Sequence, residues 1–196
     1  MISEQKKNKQ LFFLVAMPRS GNTVFASLIN QNPEIVCTAN SITLDIMKEL
    51  HHLKMTDMFR NFPDYRSLDN VLDVVYDNYY KDWPQRIIVD RGPVMTPGNF
   101  EVMQKHFKKP FKCIIKNSFN YPKICHFVKF DDLMKNPREE LQKIYSFIEE
   151  PYYPHYFENL KDININGIEY DDTVVGKNMH KLHTGKIEKI YNPYVE

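Results

Sequence analysis

The sequence has few cysteines, little net charge and no long apolar run at its start, and each shortage excludes a class of protein. Its three cysteines lie far apart with no CxxC pair, which argues against a disulfide framework or a zinc site and predicts reduced core thiols. A formal net charge of +1 argues against a nucleic-acid-binding protein that works by bulk electrostatics. The apolar run Leu11–Ala16 is too short for a membrane span or a typical secretory signal. We therefore expect a cytoplasmic protein with no nucleic-acid partner and no membrane span.

What the chain does have is the composition of one globular domain. Its 196 residues are 42% hydrophobic and 13% aromatic, which is enough for one domain with a real core and short for two. We expect a single domain over 1–196. A polar leader at 1–10 precedes it, and an irregular C-terminal tail at 150–196 is rich in Tyr, Pro, Asn and Gly.

Short apolar runs alternate along the chain with stretches of helical periodicity. This alternation predicts a three-layer α/β/α domain with a mostly parallel central sheet. Ser41 is the expected N-cap of a helix that contains Ile42, Ile46 and Leu50, and Asp131–Leu133 is an expected turn. The expected strands cover 11–16, 35–37, 86–90, 111–115 and 124–130, and further helices are expected over 23–30, 69–83, 100–107 (with Asn99 as a cap) and 137–149 (with Pro137 at its first position).

The stretch AMPRSGNT, between the first strand and the first helix, is a candidate phosphate-binding loop. A strand that enters a tight turn and then a helix directs several backbone N–H groups, with the helix dipole behind them, at one point. Gly21 allows the chain to approach an anion closely, and Arg19 supplies a positive fork. The alternative is an ordinary strand-to-helix turn that contains a glycine. The residues of the candidate site are Pro18, Arg19, Ser20, Gly21, Asn22 and Thr23.

The loop differs from the GxxxxGK[ST] loop of nucleotide kinases. In that loop the lysine reaches the terminal phosphates and the hydroxyl binds magnesium. No lysine follows Gly21 here, which weighs against ATP hydrolysis.

With these residues, the chain resembles the sulfotransferases that use 3′-phosphoadenosine 5′-phosphosulfate (PAPS), in particular their bacterial, phage and Golgi-type branch. PRSGNT after an apolar strand looks like the family's 5′-phosphosulfate loop. NQNPEI, which follows, is similar to the phrase that ends the family's first helix. VDRGP (89–93), FVKFDDLMKNPREELQKIYSFIEEPYY (127–153) and HKLHTGKIEKIYNP (180–193) resemble later family segments in the same order.

The resemblance implies a P-loop NTPase-like sulfotransferase fold and in-line transfer of a sulfuryl group from PAPS, without a metal, to an acceptor hydroxyl or amine. The acceptor class stays open among glycan, peptide, lipid and small alcohol, and so does the oligomeric state. Under this resemblance Arg19 and the amides of 20–23 hold the 5′-phosphosulfate. Arg91 is either a second cation near the bridging oxygen or one half of a surface ion pair. Asp90 is either the base that takes the acceptor proton or a group that orients Arg91.

The C-terminal segment supplies further candidates. His180 and His183 are alternative bases, because neutral imidazole suits proton abstraction near pH 7, although histidines in a tail are commonly only solvated. Lys186 after Gly185 resembles a cofactor-contacting lysine of the family, and an exposed lysine is the competing interpretation.

One part of the family pattern is absent. Relatives hold the 3′-phosphate of PAPS with residues after the third strand, but only 117–123 separate FKCIIK from the next strand here. Because a parallel crossover takes about a dozen residues, either these strands are not parallel neighbours or a segment is missing near 116–117. The alternative functions are therefore a non-catalytic or degenerate nucleotide-binding P-loop domain and a kinase-like phosphotransferase.

Overall fold

The protein is built on one parallel sheet of five short strands. The computed structural model describes residues 9–16, 20–92, 97–107, 112–115, 125–158 and 160–171. All four strand pairings are parallel, and the order across the sheet is β2-β3-β1-β4-β5. The strands are β1 (Gln10–Val15), β2 (Ile35–Cys37), β3 (Ile87–Asp90), β4 (Lys112–Ile115) and β5 (Cys125–Phe127).

Helices flank this sheet and connect its strands. The helix α1 (Asn22–Ile29) joins β1 to β2, and α6 (Pro97–His106) lies between β3 and β4. Four helices and a 3₁₀ turn, Leu53–Met55, lie between β2 and β3: α2 (Thr43–His52), α3 (Asp57–Asn61), α4 (Tyr65–Asp73) and α5 (Val75–Tyr79). After β5 come α7 (Phe130–Lys135) and α8 (Pro137–Phe147). The expected α/β architecture with a mostly parallel central sheet is confirmed.

The sheet forms the centre of the hydrophobic core, which explains why its strands have continuous apolar sequences. The four residues of β3 are all buried, as are Phe12, Phe13 and Leu14 on β1. Strands of a parallel sheet covered on both faces lack the alternation of a half-exposed strand. The three cysteines are free and buried in this core, as expected.

The position of β1 marks a reversal in the direction of the strand connections. The connection after β1 leads to β2 on one side, whereas the connections after β3 and β4 lead to the other side. Right-handed crossovers place such connections on opposite faces of the sheet, and ligands of α/β proteins bind where this reversal occurs. We call the edge where β1, β2 and β3 end, at Val15, Cys37 and Asp90, the carboxyl edge.

The short connection between β4 and β5 does not prevent parallel pairing. Cys113 lies opposite Cys125 and Ile115 opposite Phe127, so these strands are parallel neighbours, and the alternative that they are not is wrong. Because both strands are short, the chain between Ile115 and Cys125 has to return over only about 8 Å, whereas nine extended residues reach roughly 30 Å. Residues 116–124 lie outside the described part of the chain.

Several element boundaries differ from the sequence expectation. The helix expected over 69–83 is divided at Val74 into α4 and α5. The buried residues Leu72, Tyr76 and Tyr80 keep a four-residue spacing across the break, so the sequence pattern does not reveal it. The expected turn at 131–133 is the helix α7, whose acidic first turn suits a helix N-terminus and whose Leu133 is fully buried. The helix α6 begins at Pro97, so Asn99 is not its cap.

The segment expected to be irregular after residue 150 contains a two-stranded hairpin. Its strands are β6 (Asn164–Ile165) and β7 (Ile168–Glu169), paired antiparallel. Asn166 and Gly167 between them both have positive φ, 54° and 83°, as the two central residues of a type I′ turn require. Within the described ranges, no helix is long and apolar enough to cross a membrane.

Candidate anion site at the carboxyl edge

The chain enters α1 through a glycine in a left-handed conformation. Gly21 is the N-cap of α1, with φ 77° and ψ 26°, and its carbonyl accepts the first helical hydrogen bond from Phe25 N at 3.1 Å. Glycine adopts this conformation without the steric penalty that a Cβ brings. The sequence therefore places glycine at a position where the backbone needs it.

The start of α1 presents its amide groups at the carboxyl edge. The first N–H groups of an α-helix have no acceptor within the helix and carry the positive end of its dipole. The N-cap residue, Gly21, has no side chain that could cap α1, and Ser20 Oγ donates to Asn22 Oδ1 at 3.0 Å. Thr23 is half-buried at the second position of the helix. Such an N-terminus is suited to binding an anion.

Arg91 brings a guanidinium group to this helix start. Its backbone follows β3 directly, with its N–H donating to Thr38 Oγ1 at 2.7 Å and its carbonyl accepting from Ser41 N at 3.0 Å. From there the side chain reaches the first turn of α1, and Nη1 lies 3.5 Å from Thr23 Oγ1, the outer limit of a hydrogen bond. The structure thus places the cation expected from sequence beside the start of α1.

Asp90, the last residue of β3, is completely buried at the same edge. Its Oδ2 accepts hydrogen bonds from three hydroxyl groups, Ser41 Oγ at 2.8 Å, Thr43 Oγ1 at 2.6 Å and Tyr80 OH at 2.6 Å. We call Ser41, Thr43 and Tyr80 the hydroxyl cage. Burial raises the pKa of Asp90, and the three hydrogen bonds of the cage oppose that rise.

The cage replaces the expected cap of α2. Ile42, not Ser41, is the N-cap residue, and Ser41 Oγ accepts a bond from Thr43 N at 3.2 Å while it donates to Asp90. The expectation that Ser41 caps this helix is therefore wrong by one position. A hydroxyl beside a buried carboxylate gains more from a charge-assisted bond than from a helix amide.

The phenol of Tyr80, which belongs to the hydroxyl cage, has a strongly raised pKa. Burial, together with the charge of Asp90, raises the pKa of Tyr80, and the same two causes raise the pKa of Tyr76 beside it. The Tyr80 phenol therefore stays protonated at neutral pH, as a donor to the Asp90 carboxylate must.

Sequence reasoning found Arg91 and Asp90 but missed Thr38, Ser41, Thr43 and Tyr80. Thr38 and Ser41 follow β2 by a few residues, and the ends of neighbouring parallel strands meet at one edge, so the pattern contained a signal for them. Tyr80 gave no such signal, because its spacing from Tyr76 is that of an ordinary core residue.

The other predicted site residues lie outside the described ranges. They are Pro18 and Arg19 in the loop and His180, His183 and Lys186 near the C-terminus. Among the residues that are described, no group of three or more His, Cys, Asp or Glu side chains is arranged to hold a metal ion.

Comparisons with known proteins add a distant structural likeness. No protein-family model matches the chain, and no curated protein matches it. Among solved structures it is similar to the sulfotransferase domain from the curacin biosynthetic pathway. The sequence identity is 14%, the match covers 75% of this chain and 76% of that chain, and the TM-score is 0.49. A likeness at this level says nothing about what the chain binds or transfers.

Proposed function

We propose that this protein binds PAPS at the carboxyl edge and transfers its sulfuryl group to a hydroxyl or amine of an acceptor. The observation that carries the proposal is the approach of the Arg91 guanidinium to Thr23, at the start of a helix entered through a left-handed glycine. A cation and a helix N-terminus that meet at the end of β1 suit a dianionic group. The loop sequence, with no lysine after Gly21, favours phosphosulfate over a triphosphate.

The proposed roles follow the charges that change during transfer. Loop residues 18–23 hold the 5′-phosphosulfate, and Arg91 neutralises negative charge that grows on the bridging oxygen as the sulfur–oxygen bond breaks. Lys186 is the proposed second cofactor-binding cation, and Asp90 or His183 takes the proton of the acceptor. Stabilisation by fixed cations and amides requires no metal.

Calorimetric titration with adenosine 3′,5′-bisphosphate tests this proposal. The intact chain should bind the bisphosphate, and Arg91→Ala should weaken binding about 10- to 100-fold, since a hydrogen bond to a charged group contributes roughly 1.5–3 kcal/mol. Arg19→Ala should weaken it comparably. Arg60→Ala is the matched control, because Arg60 is exposed on α3 and pairs there with Asp57.

The same titration separates the alternatives. Binding of ATP with magnesium, without binding of the bisphosphate, would favour a kinase-like phosphotransferase. Failure of the intact chain to bind either nucleotide would favour a domain with no nucleotide-dependent activity and would exclude the proposal.

A further inference from the structure

A short helical segment between β2 and β3 exposes a cluster of large apolar side chains. We call residues 53–66 the arm, which contains the 3₁₀ turn, α3 and the start of α4. Met58 and Phe62 are the most exposed of these side chains, at 86% and 77%. Single exposed apolar residues need no explanation, whereas a cluster of them marks an interaction surface. The exposed apolar residues of the arm are Leu53, Met55, Met58, Phe62 and Tyr65.

Polar contacts, not the burial of these side chains, hold the arm in shape. Thr56 Oγ1 caps α3 and Asp64 Oδ1 caps α4, each by accepting a bond from the backbone N–H three residues later, at 3.2 and 3.0 Å. Lys54 Nζ lies 2.5 Å from Asp69 Oδ1 and so joins the first turn of the arm to α4. The arm therefore has a fixed backbone while its apolar side chains stay in contact with water, as a preformed docking surface requires.

The apolar side chains cluster around the turn between α3 and α4. Met58 precedes Phe62, the C-cap residue of α3, by four positions, and residues four apart are neighbours on a helix surface. The ring of Phe59 packs edge-on against that of Tyr65, with 5.0 Å between the ring centroids. This contact closes the turn and brings the start of α4 beside α3.

The charges of the arm are arranged to match a second copy of the same arm. Asp57 and Arg60 precede Phe62, and Asp64 and Arg66 follow it. The signs alternate from acid to base along the arm, so a reversed copy places acids opposite bases. A two-fold axis near Phe62 brings α3 of one copy toward α4 of the other, with Asp57 across from Arg66 and Arg60 across from Asp64.

The ion pair within one arm does not prevent this exchange. Arg60 Nη1 lies 3.2 Å from Asp57 Oδ1, with both side chains mostly exposed. An exposed pair of this kind contributes little to stability, so its members can take partners on another molecule at little cost.

The same charges disfavour other partners. Anionic membranes and nucleic acids attract clusters of Lys and Arg, and the two acids of the arm would be repelled by them. An acidic protein meets the same obstacle. The formal net charge of the chain is +1, so two copies repel each other little.

We propose that two copies of this chain associate through the arm, with a two-fold axis close to Phe62. Met58, Phe62 and Tyr65 of both copies form the apolar centre of this interface, and the charged residues of the arm form its rim. Because the arm is short, the interface belongs to the small class, and we expect a Kd of about 1–100 µM. This inference stands independently of nucleotide binding at the carboxyl edge.

Sedimentation velocity of the intact chain tests the proposal over about 1–300 µM, a range that brackets the expected Kd. The chain should pass from monomer to dimer as its concentration rises. Phe62→Ser and Met58→Ser should each weaken association more than tenfold, since each removes an apolar side chain from both copies. Ile168→Ser is the matched control and should associate like the parent, because Ile168 is 70% exposed on β7, outside the arm.

Asp57→Arg and Arg66→Asp test the position of the axis. Each single change places like charges opposite each other in the dimer and should raise its Kd about threefold to tenfold. The double variant restores acid opposite base, and its Kd should return to within about twofold of the parent. Circular dichroism of every variant shows whether it is folded, which separates lost association from lost structure.

Three results would overturn the inference. In the first, the intact chain stays monomeric over the whole range. In the second, a dimer forms that neither serine variant weakens, or the double charge variant fails to recover, since the interface or its axis would then lie elsewhere. In the third, the monomer co-sediments with vesicles of phosphatidylcholine and phosphatidylglycerol and Phe62→Ser does not, which would assign the arm to a membrane surface.

Discussion

At the scale of single residues, Gly21 and Gly98 illustrate the difference between a glycine that the backbone requires and one that it tolerates. Gly21 has φ 77° at the N-cap of α1. Gly98 lies in the first turn of α6, and a Cβ there would meet no atom within 4 Å. The same substitution should therefore have opposite effects at the two positions.

We predict that Gly21→Ala lowers the free energy of unfolding by about 1–2 kcal/mol, the cost of a left-handed alanine. Gly98→Ala should raise it by about 0.5–1 kcal/mol, since alanine is favoured over glycine in a helix. Urea unfolding of both variants measures the difference. Equal effects of the two substitutions would contradict the assigned role of Gly21.

At the scale of elements, the edge strand β2 depends on one side chain from the end of α1. Asn30 Nδ2 donates to Cys37 O at 3.0 Å, and Cys37 N donates to Asn30 Oδ1 at 2.6 Å. The amide of Asn30 thus pairs with both backbone groups of a fully buried residue, as another strand would do. This pairing fixes the strand that leads to Thr38 and the hydroxyl cage.

We predict that Asn30→Ala costs about 2–3 kcal/mol of stability, because it removes both hydrogen bonds of this side chain to the buried backbone of Cys37. Asn70→Ala, at an exposed position of α4, is the control and should change stability by less than about 0.5 kcal/mol. Denaturant unfolding followed by circular dichroism gives both values. A loss no larger than that of the control would show that β2 does not depend on this pairing.

The sequence predicts the strands of the central sheet better than it predicts the hairpin and the hydroxyl cage, and the difference has physical causes. LFFLVA and RIIVD are recognisable because burial on both faces removes polar residues from a strand. The hairpin at Asn166–Gly167 was predictable from the Asn-Gly pair and was missed. The hydroxyl cage was not predictable, because residues 41, 43, 80 and 90 meet only through the tertiary fold. The helical periodicity shows that Tyr80 is buried, but it does not distinguish a residue that binds Asp90 from an ordinary core residue.

At the scale of the whole molecule, the segment after α8 is fastened to the turn between α1 and β2. Tyr145 OH accepts a bond from Asn32 Nδ2 at 3.0 Å and lies 3.3 Å from His155 Nε2. Gln31 exchanges two bonds with the backbone of Tyr156. His155 is buried among tyrosines, and this burial lowers its pKa.

This burial predicts that stability falls on acidification. The pKa of His155 in the folded protein lies below its ordinary value of 6.5, so the unfolded chain takes up the proton first. The stabilisation is therefore present above pH 6.5 and is lost as pH falls toward the folded pKa. Burial also lowers the pKa of His51 and His126, which adds to the effect, whereas the raised pKa of Asp90 acts in the opposite direction.

We predict that the urea midpoint is lower at pH 5.5 than at pH 7.5, and that His155→Phe reduces this difference. Tyr145 keeps its bond to Asn32 in that variant. His52→Gln, at an exposed position, should retain the full pH dependence of the parent. An undiminished difference in His155→Phe would assign the acid sensitivity to other groups.

The central place of β1 in the sheet determines when the molecule can assemble during synthesis. Gln10 pairs with Ile87 and Phe12 with Lys112, so both partners of this strand are made long after it. At ribosomal rates of roughly 5–20 residues per second, β1 waits about 5–20 s for its second neighbour. During that time an apolar strand with two open edges has left the ribosome with nothing to pair with. We therefore expect β1 to be a segment that chaperones protect until the rest of the sheet has been synthesised.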